Sequence, residues 1–164
     1  MTIVAVAVAA GCVLYLLLKQ QKHYTDRSLL LRNLMVERTQ WRRQLRYEVA
    51  EFCALASSYY YSVYEQEEDY TKKAFAHHVK RMDELRVRVR LRLNPNETID
   101  SNDTKLIRSM ARVVLHFETR QYDNLHRELL RIERCAQRIL KSEWDKSKRE
   151  AQRGKIERRI GTMD

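Results

Sequence analysis

Between Cys12 and Arg153 this chain has no glycine and a single proline, Pro95. Glycine and proline are the residues that let a backbone turn sharply or stop a helix, so a stretch this poor in them predicts a few long helices rather than many short elements. The length of 164 residues, 33% charged and 44% hydrophobic, leaves room for one helical domain but not for two separate cores.

Ahead of this stretch lies an uncharged apolar run, Thr2 to Leu18, followed at once by Lys19, Lys22, His23 and Arg27. As a helix, its seventeen residues reach roughly 25 Å, near the lower limit for crossing a hydrocarbon core of about 30 Å. A secretory signal carries its positive charges before the apolar core, and here they come after it. Ala9-Ala10-Gly11-Cys12 resembles a lipoprotein cleavage box, but the apolar run continues beyond Cys12. The expectation is a transmembrane helix over 1–18, oriented by the basic cluster with its leading residues outside and the remainder in the cytosol. Ala5, Ala7, Ala9 and Gly11 form small-residue pairs at a spacing of four. That spacing allows close helix contact in lipid and favours a homo-oligomer, although alanine is also ordinary filler in a short anchor.

After the run, apolar residues recur at intervals of three and four: Leu34, Trp41, Leu45, Val49, Phe52, Leu55, Tyr59 and Val63. This is the stripe of a long amphipathic helix. A turn is expected at the acidic cluster Glu65, Glu67, Glu68 and Asp69, then a second helix from about Tyr70 to Leu93. Its end, LRVRVRLRL over 85–93, alternates with the period of a strand. No other segment could pair with that strand, and its backbone would be left without partners, so helix is the expected state. Asn94-Pro95 ends the helix. Ser101 or Asn102 caps a third, carrying Leu106, Ile107, Met110, Val113, Val114 and Phe117. Gln121 to Asp123 is a turn or a kink before a last helix with Leu125, Leu129, Ile132, Ala136, Ile139 and Trp144 on its inner stripe.

The predicted fold is therefore all-α: an N-terminal transmembrane helix continuing into a cytosolic antiparallel bundle of about four long helices. Its parts are the span at 1–18, a stalk and first cytosolic helix at 19–64, the rest of the bundle at 65–144, and a basic tail at 145–164 read as fraying helix or disorder. Cys12, Cys53 and Cys135 are few and far apart, which fits reduced thiols in a cytosolic domain better than a disulfide framework.

Arginine outnumbers lysine 22 to 10, and the formal net charge is +10. The arginines fall in helical lines, Arg38, Arg42 and Arg46 on the first helix and Arg127, Arg131, Arg134 and Arg138 on the last, with shorter lines at Arg86 and Arg90 and at Arg108 and Arg112. Residues so spaced share a face. Guanidinium groups bind phosphate through two parallel hydrogen bonds and stack on flat rings, so these two longer lines are the candidate anion-binding residues. Ordinary pairing with Glu48, Glu84, Glu118, Glu128 and Glu133 is the competing reading, and attraction to anionic lipid a third.

Nothing in the chain marks a catalytic residue. There is no glycine-rich phosphate loop, nucleophile elbow or carboxylate pair that stands out from the background charge. His77 and His78 diverge on a helix, and His23, His116 and His126 lack a carboxylate or cysteine at metal-ligand spacing, so no metal and no cofactor are expected. Tyr59, Tyr60, Tyr61 and Tyr64 point around a helix rather than along one face.

Two stretches, Glu37-Arg38-x-x-Trp41-x-x-x-Leu45-Arg46 and Leu93-Asn94-Pro95-x-Glu97, resemble those of a group of bacterial single-pass membrane proteins of about this size. In layout that group is similar to small helical membrane effectors of antiphage systems, including the channel subunit of the Hailong system. The resemblance implies a homo-oligomer in the inner membrane, held shut by an oligonucleotide or cyclic nucleotide that a partner nucleotidyltransferase makes. A membrane-anchored scaffold or adaptor, or a membrane tether for nucleic acid, would use the same parts. A single span cannot enclose an aqueous path, so a channel would need several copies in the lipid bilayer.

Overall fold

The computed structural model describes the backbone of residues 2–64, 72–94 and 98–153; side chains at 2–10, 12, 13, 23–27, 63, 64 and 72–74 are outside the description. Among the described residues four helices follow one another: α1 (Thr2–Tyr64), α2 (Lys72–Arg92), α3 (Asn102–Thr119) and α4 (Leu125–Arg153). Among the described residues there is no strand. Two compact units divide the chain, one of residues 1–38 with 146–164, the other of 39–145.

The larger unit is a bundle built on a heptad stripe. Leu45, Val49, Phe52, Ala56 and Tyr59 of α1 are buried against Met82, Leu85 and Val89 of α2, Leu106, Met110, Val113, Val114 and Phe117 of α3, and Leu125, Leu129, Ile132, Ala136 and Ile139 of α4. Steps of four and three keep each set on one side of its helix. The neighbours are antiparallel. Tyr59, late in α1, meets Phe75, early in α2, at 5.1 Å between ring centroids, whereas Arg92 at the end of α2 bonds Glu48 and Gln44. Likewise Arg112 of α3 approaches Glu128 near the start of α4 at 3.2 Å, and Arg42 of α1 reaches the Glu143 carbonyl late in α4 at 3.4 Å.

The alternating segment is helical. Only every second apolar residue of it can then face inward: Leu85 and Val89 are fully buried, while Val87 is 39% and Leu91 80% exposed. In a helix, steps of two turn about 200°, so a period-two pattern splits between two faces.

Ser101 is the N-cap of α3, its hydroxyl accepting from the Thr104 amide at 3.1 Å. At the other end Arg120 adopts a left-handed conformation (φ 55, ψ 36), with its N–H directed to the His116 and Phe117 carbonyls. The segment 121–123 is therefore a turn, not a kink.

Two sequence expectations are displaced. Ala56 rather than Leu55 occupies the buried α1 position, because it continues the four-three rhythm from Phe52. Trp144 leaves the α4 stripe and is 58% exposed; it lies five residues after Ile139, about 140° away from the inner line. Beyond Asp145 the helix continues to Arg153, inside the segment read as fraying helix or disorder.

In the smaller unit, that extension brings Glu150, 1% exposed, into an ion pair with Arg38 of α1. Leu14, Leu16, Leu17, Leu18, Leu29 and Leu30 are each more than half exposed there. Among the described residues no helix is long and apolar enough to cross a membrane. Most side chains of the expected span, including Ala5, Ala7 and Ala9, lie outside those described; at Gly11 an added Cβ would meet nothing within 4 Å.

Candidate anion-binding site

The α4 arginine line does form a groove. Arg127, Arg131, Arg134 and Arg138 line a space of about 410 Å³ together with Leu130, Cys135 and, from α3, Lys105. Positions 127, 131, 134 and 138 advance by four, three and four, so the guanidinium groups stand above one another along the helix. The antiparallel α3 completes the cation set with Lys105, which no sequence spacing on α4 could reveal.

What distinguishes these cations is which of them are already neutralised. Arg131 lies 3.3 Å from Glu128, whose carboxylate also faces Arg112 at 3.2 Å and is 8% exposed. Lys105 is held only loosely by Asp100, at 3.7 Å on the surface. Arg127, Arg134 and Arg138 have no carboxylate within ion-pair distance among the described residues. Adjacent uncompensated guanidinium groups repel one another and attract a polyanion. Beneath them, burial raises the Cys135 thiol above its ordinary value, against the opposing pull of Arg138, Lys105 and Arg131. The cations thus surround a protonated, unreactive sulfur rather than a thiolate.

The α1 arginine line does not join them. Arg38 belongs to the smaller unit and is engaged by Glu150. Arg42 is 8% exposed; it donates to Thr39 Oγ1 at 3.1 Å and to the Glu143 carbonyl, and its guanidinium carbon lies 5.5 Å from the Trp144 ring centroid. Arg46 is exposed and, with Arg42, Gln137, Leu140, Lys141 and Trp144, lines a separate groove of about 400 Å³.

Elsewhere arginines are structural ties. Arg92 donates from Nε and Nη2 to both Glu48 oxygens at 2.7 and 2.9 Å, and from Nη1 to Gln44 Oε1 at 2.8 Å. Arg81 donates to Glu51 at 2.9 and 2.6 Å. These hydrogen bonds strengthen the hold of both guanidinium groups on their protons. Glu48 and Glu128 are the buried carboxylates of the larger unit, and each takes arginines out of the open set. Their burial follows from the bundle and has no separate signature in a run of mixed charges. Among the described residues no three His, Cys, Asp or Glu side chains converge as metal ligands. Compared with known proteins, the chain matches no family model, no curated protein and no solved structure.

Proposed function

We propose that this chain is a single-pass inner-membrane protein, anchored by residues 1–18, whose cytosolic bundle binds a phosphate-bearing ligand in the groove from Lys105 to Arg138. The observation that carries the ligand reading is the set of open cations Arg127, Arg134 and Arg138 beside Lys105. The exposed leucines at 14 and 16–18 support the anchor, since a contiguous apolar surface marks a place that lipid or another chain covers.

With the small-residue spacing at Ala5, Ala7, Ala9 and Gly11, and with the resemblance to antiphage membrane effectors, this reading extends to a homo-oligomeric effector or ion-channel subunit. Its ligand would be a nucleotide or oligonucleotide made by a partner nucleotidyltransferase. A ligand that binds one arrangement of the bundle more tightly than another shifts the population between them, which is what gating requires.

The test is a salt series of single-stranded oligonucleotide binding to the full chain in nanodiscs of zwitterionic lipid. Every phosphate that the protein no longer neutralises reduces the slope of log affinity against log salt by about 0.7, so Arg134→Gln with Arg138→Gln should flatten it by about 1.4. An unchanged slope would remove the groove as the site. The mass of the complex in mild detergent decides the channel role, because a strict monomer cannot form a pore.

A non-enzymatic membrane-anchored scaffold is the second reading. Val87 and Leu91, one helical turn apart on α2 and exposed, give it a surface for a partner helix. Under that reading the arginine substitutions leave nucleic-acid affinity where it was, and Leu91→Gln releases the partner.

A further inference from the structure

Trp144 is a large aromatic ring that the bundle leaves 58% exposed. The nearly buried Arg42 guanidinium, fixed by Thr39 and the Glu143 carbonyl, lies against it at 5.5 Å. Around the ring the groove offers Leu140, the Gln137 amide and two cations, Arg46 and Lys141. Arg46 has no carboxylate partner among the described residues, and Lys141 has only the surface contact with Asp145 at 3.3 Å. At about 400 Å³ the space falls within the range of small-ligand sites, roughly 300–1,000 Å³.

An exposed indole flanked by cations and one amide matches the parts of a nucleotide: a flat ring to stack, an edge to hydrogen-bond and a phosphate to neutralise. It also shares α4 with the arginine groove. Trp144 lies six residues beyond Arg138, about 9 Å along the helix axis and about 120° around it, so a strand must follow the α4 surface past Lys141 for two or three nucleotides to connect the two grooves.

We infer that the Trp144 groove is a base-stacking subsite for a single-stranded nucleic acid whose neighbouring phosphates lie on the α4 arginines. This rests on the phosphate-binding reading above and adds to it a base contact made by a residue outside both arginine lines. The arginine groove, lined otherwise by Leu130 and Cys135, contains no aromatic ring, so its contacts with a strand are phosphate pairing and guanidinium stacking. Trp144 makes the chain distinguish a strand with bases from one without.

The experiment compares two labelled twelve-residue strands, oligothymidylate and the same backbone lacking bases, binding to the full chain in zwitterionic nanodiscs at fixed salt. The wild-type chain should favour oligothymidylate by roughly 5- to 150-fold, the worth of one stacked base. Trp144→Leu should abolish that preference and leave the baseless strand's affinity unchanged. Arg134→Gln with Arg138→Gln should weaken both strands alike. A preference that persists in Trp144→Leu, or none in the wild-type chain, overturns the stacking subsite while leaving the phosphate groove intact. Binding of neither strand overturns both. Since Trp144 lies off the buried stripe, the variant's melting temperature should match the wild type, and a loss of base preference accompanied by unfolding is resolved by Trp144→Phe, which keeps a stacking ring and should retain part of it.

Discussion

The indole Nε1 of Trp41 donates a hydrogen bond to the backbone carbonyl of Arg92 at 3.0 Å. That carbonyl belongs to the last turn of α2, where helical partners run out. The Arg92 side chain returns to α1, gripping Glu48 and Gln44. Trp41, Gln44 and Glu48 of α1 thus clamp Arg92, the last residue of α2, and set where that helix ends against α1.

Removing the indole donor should weaken the clamp. Trp41→Phe is expected to lose about 1–2 kcal/mol through the unmade hydrogen bond and imperfect ring packing. Glu48→Ala should cost more, about 2–4 kcal/mol, because it strands the Arg92 charge in a partly buried position. Thermal unfolding of the two variants in detergent checks the order; equal melting temperatures would contradict it.

The helical state of the alternating segment predicts unequal effects from chemically similar changes. Leu85→Ala should destabilise by about 2–5 kcal/mol, whereas Leu91→Ala, on the solvent side, should stay within about 0.5 kcal/mol of the wild type. In a strand both residues would share one face, and the two substitutions would cost alike. Denaturant midpoints of the pair separate the states.

Burial, reinforced by Glu133, pushes the Cys53 thiol from 9.0 up to about 12. The folded chain therefore holds this proton where the unfolded chain has released it. Stability attributable to Cys53 is complete below pH 9 and declines as pH rises toward 12, by at most about 1.4 kcal/mol per pH unit. Lysines and tyrosines titrate in the same window, so the measurement is the difference between wild type and Cys53→Ala. That difference should change between pH 9 and 11, with the wild type losing more; parallel curves would show the thiol to be solvated.

Arg120 is the one non-glycine residue with positive φ among the described residues. A side chain at that angle crowds the following backbone, which glycine avoids. Arg120→Gly should raise stability by up to about 1 kcal/mol. A lower melting temperature would mean that the arginine side chain contributes more than its backbone strain costs.

The helices themselves are legible in the chain. With glycine absent from Cys12 to Arg153 and proline only at 95, local rules leave little choice, and the stripes through Leu45, Leu106 and Leu125 name most of the buried residues because burial on a helix repeats at three and four. Ser101 announces its cap through its side-chain chemistry. The arginine line on α4 is equally visible, since a shared helix face is a local property. Packing alone decides which charges remain open. Lys105 joins Arg134 and Arg138 because α3 returns alongside α4, and Arg131 is partly neutralised because Glu128 turns inward. Arg38 is taken up by Glu150 because α4 outlasts its apolar stripe. Trp144 lies about 140° around α4 from the buried line and becomes a surface ring beside Arg42. Periodicity along one helix is written in the chain, but the meeting of charges and rings from different helices depends on the register between them, which no single stretch encodes.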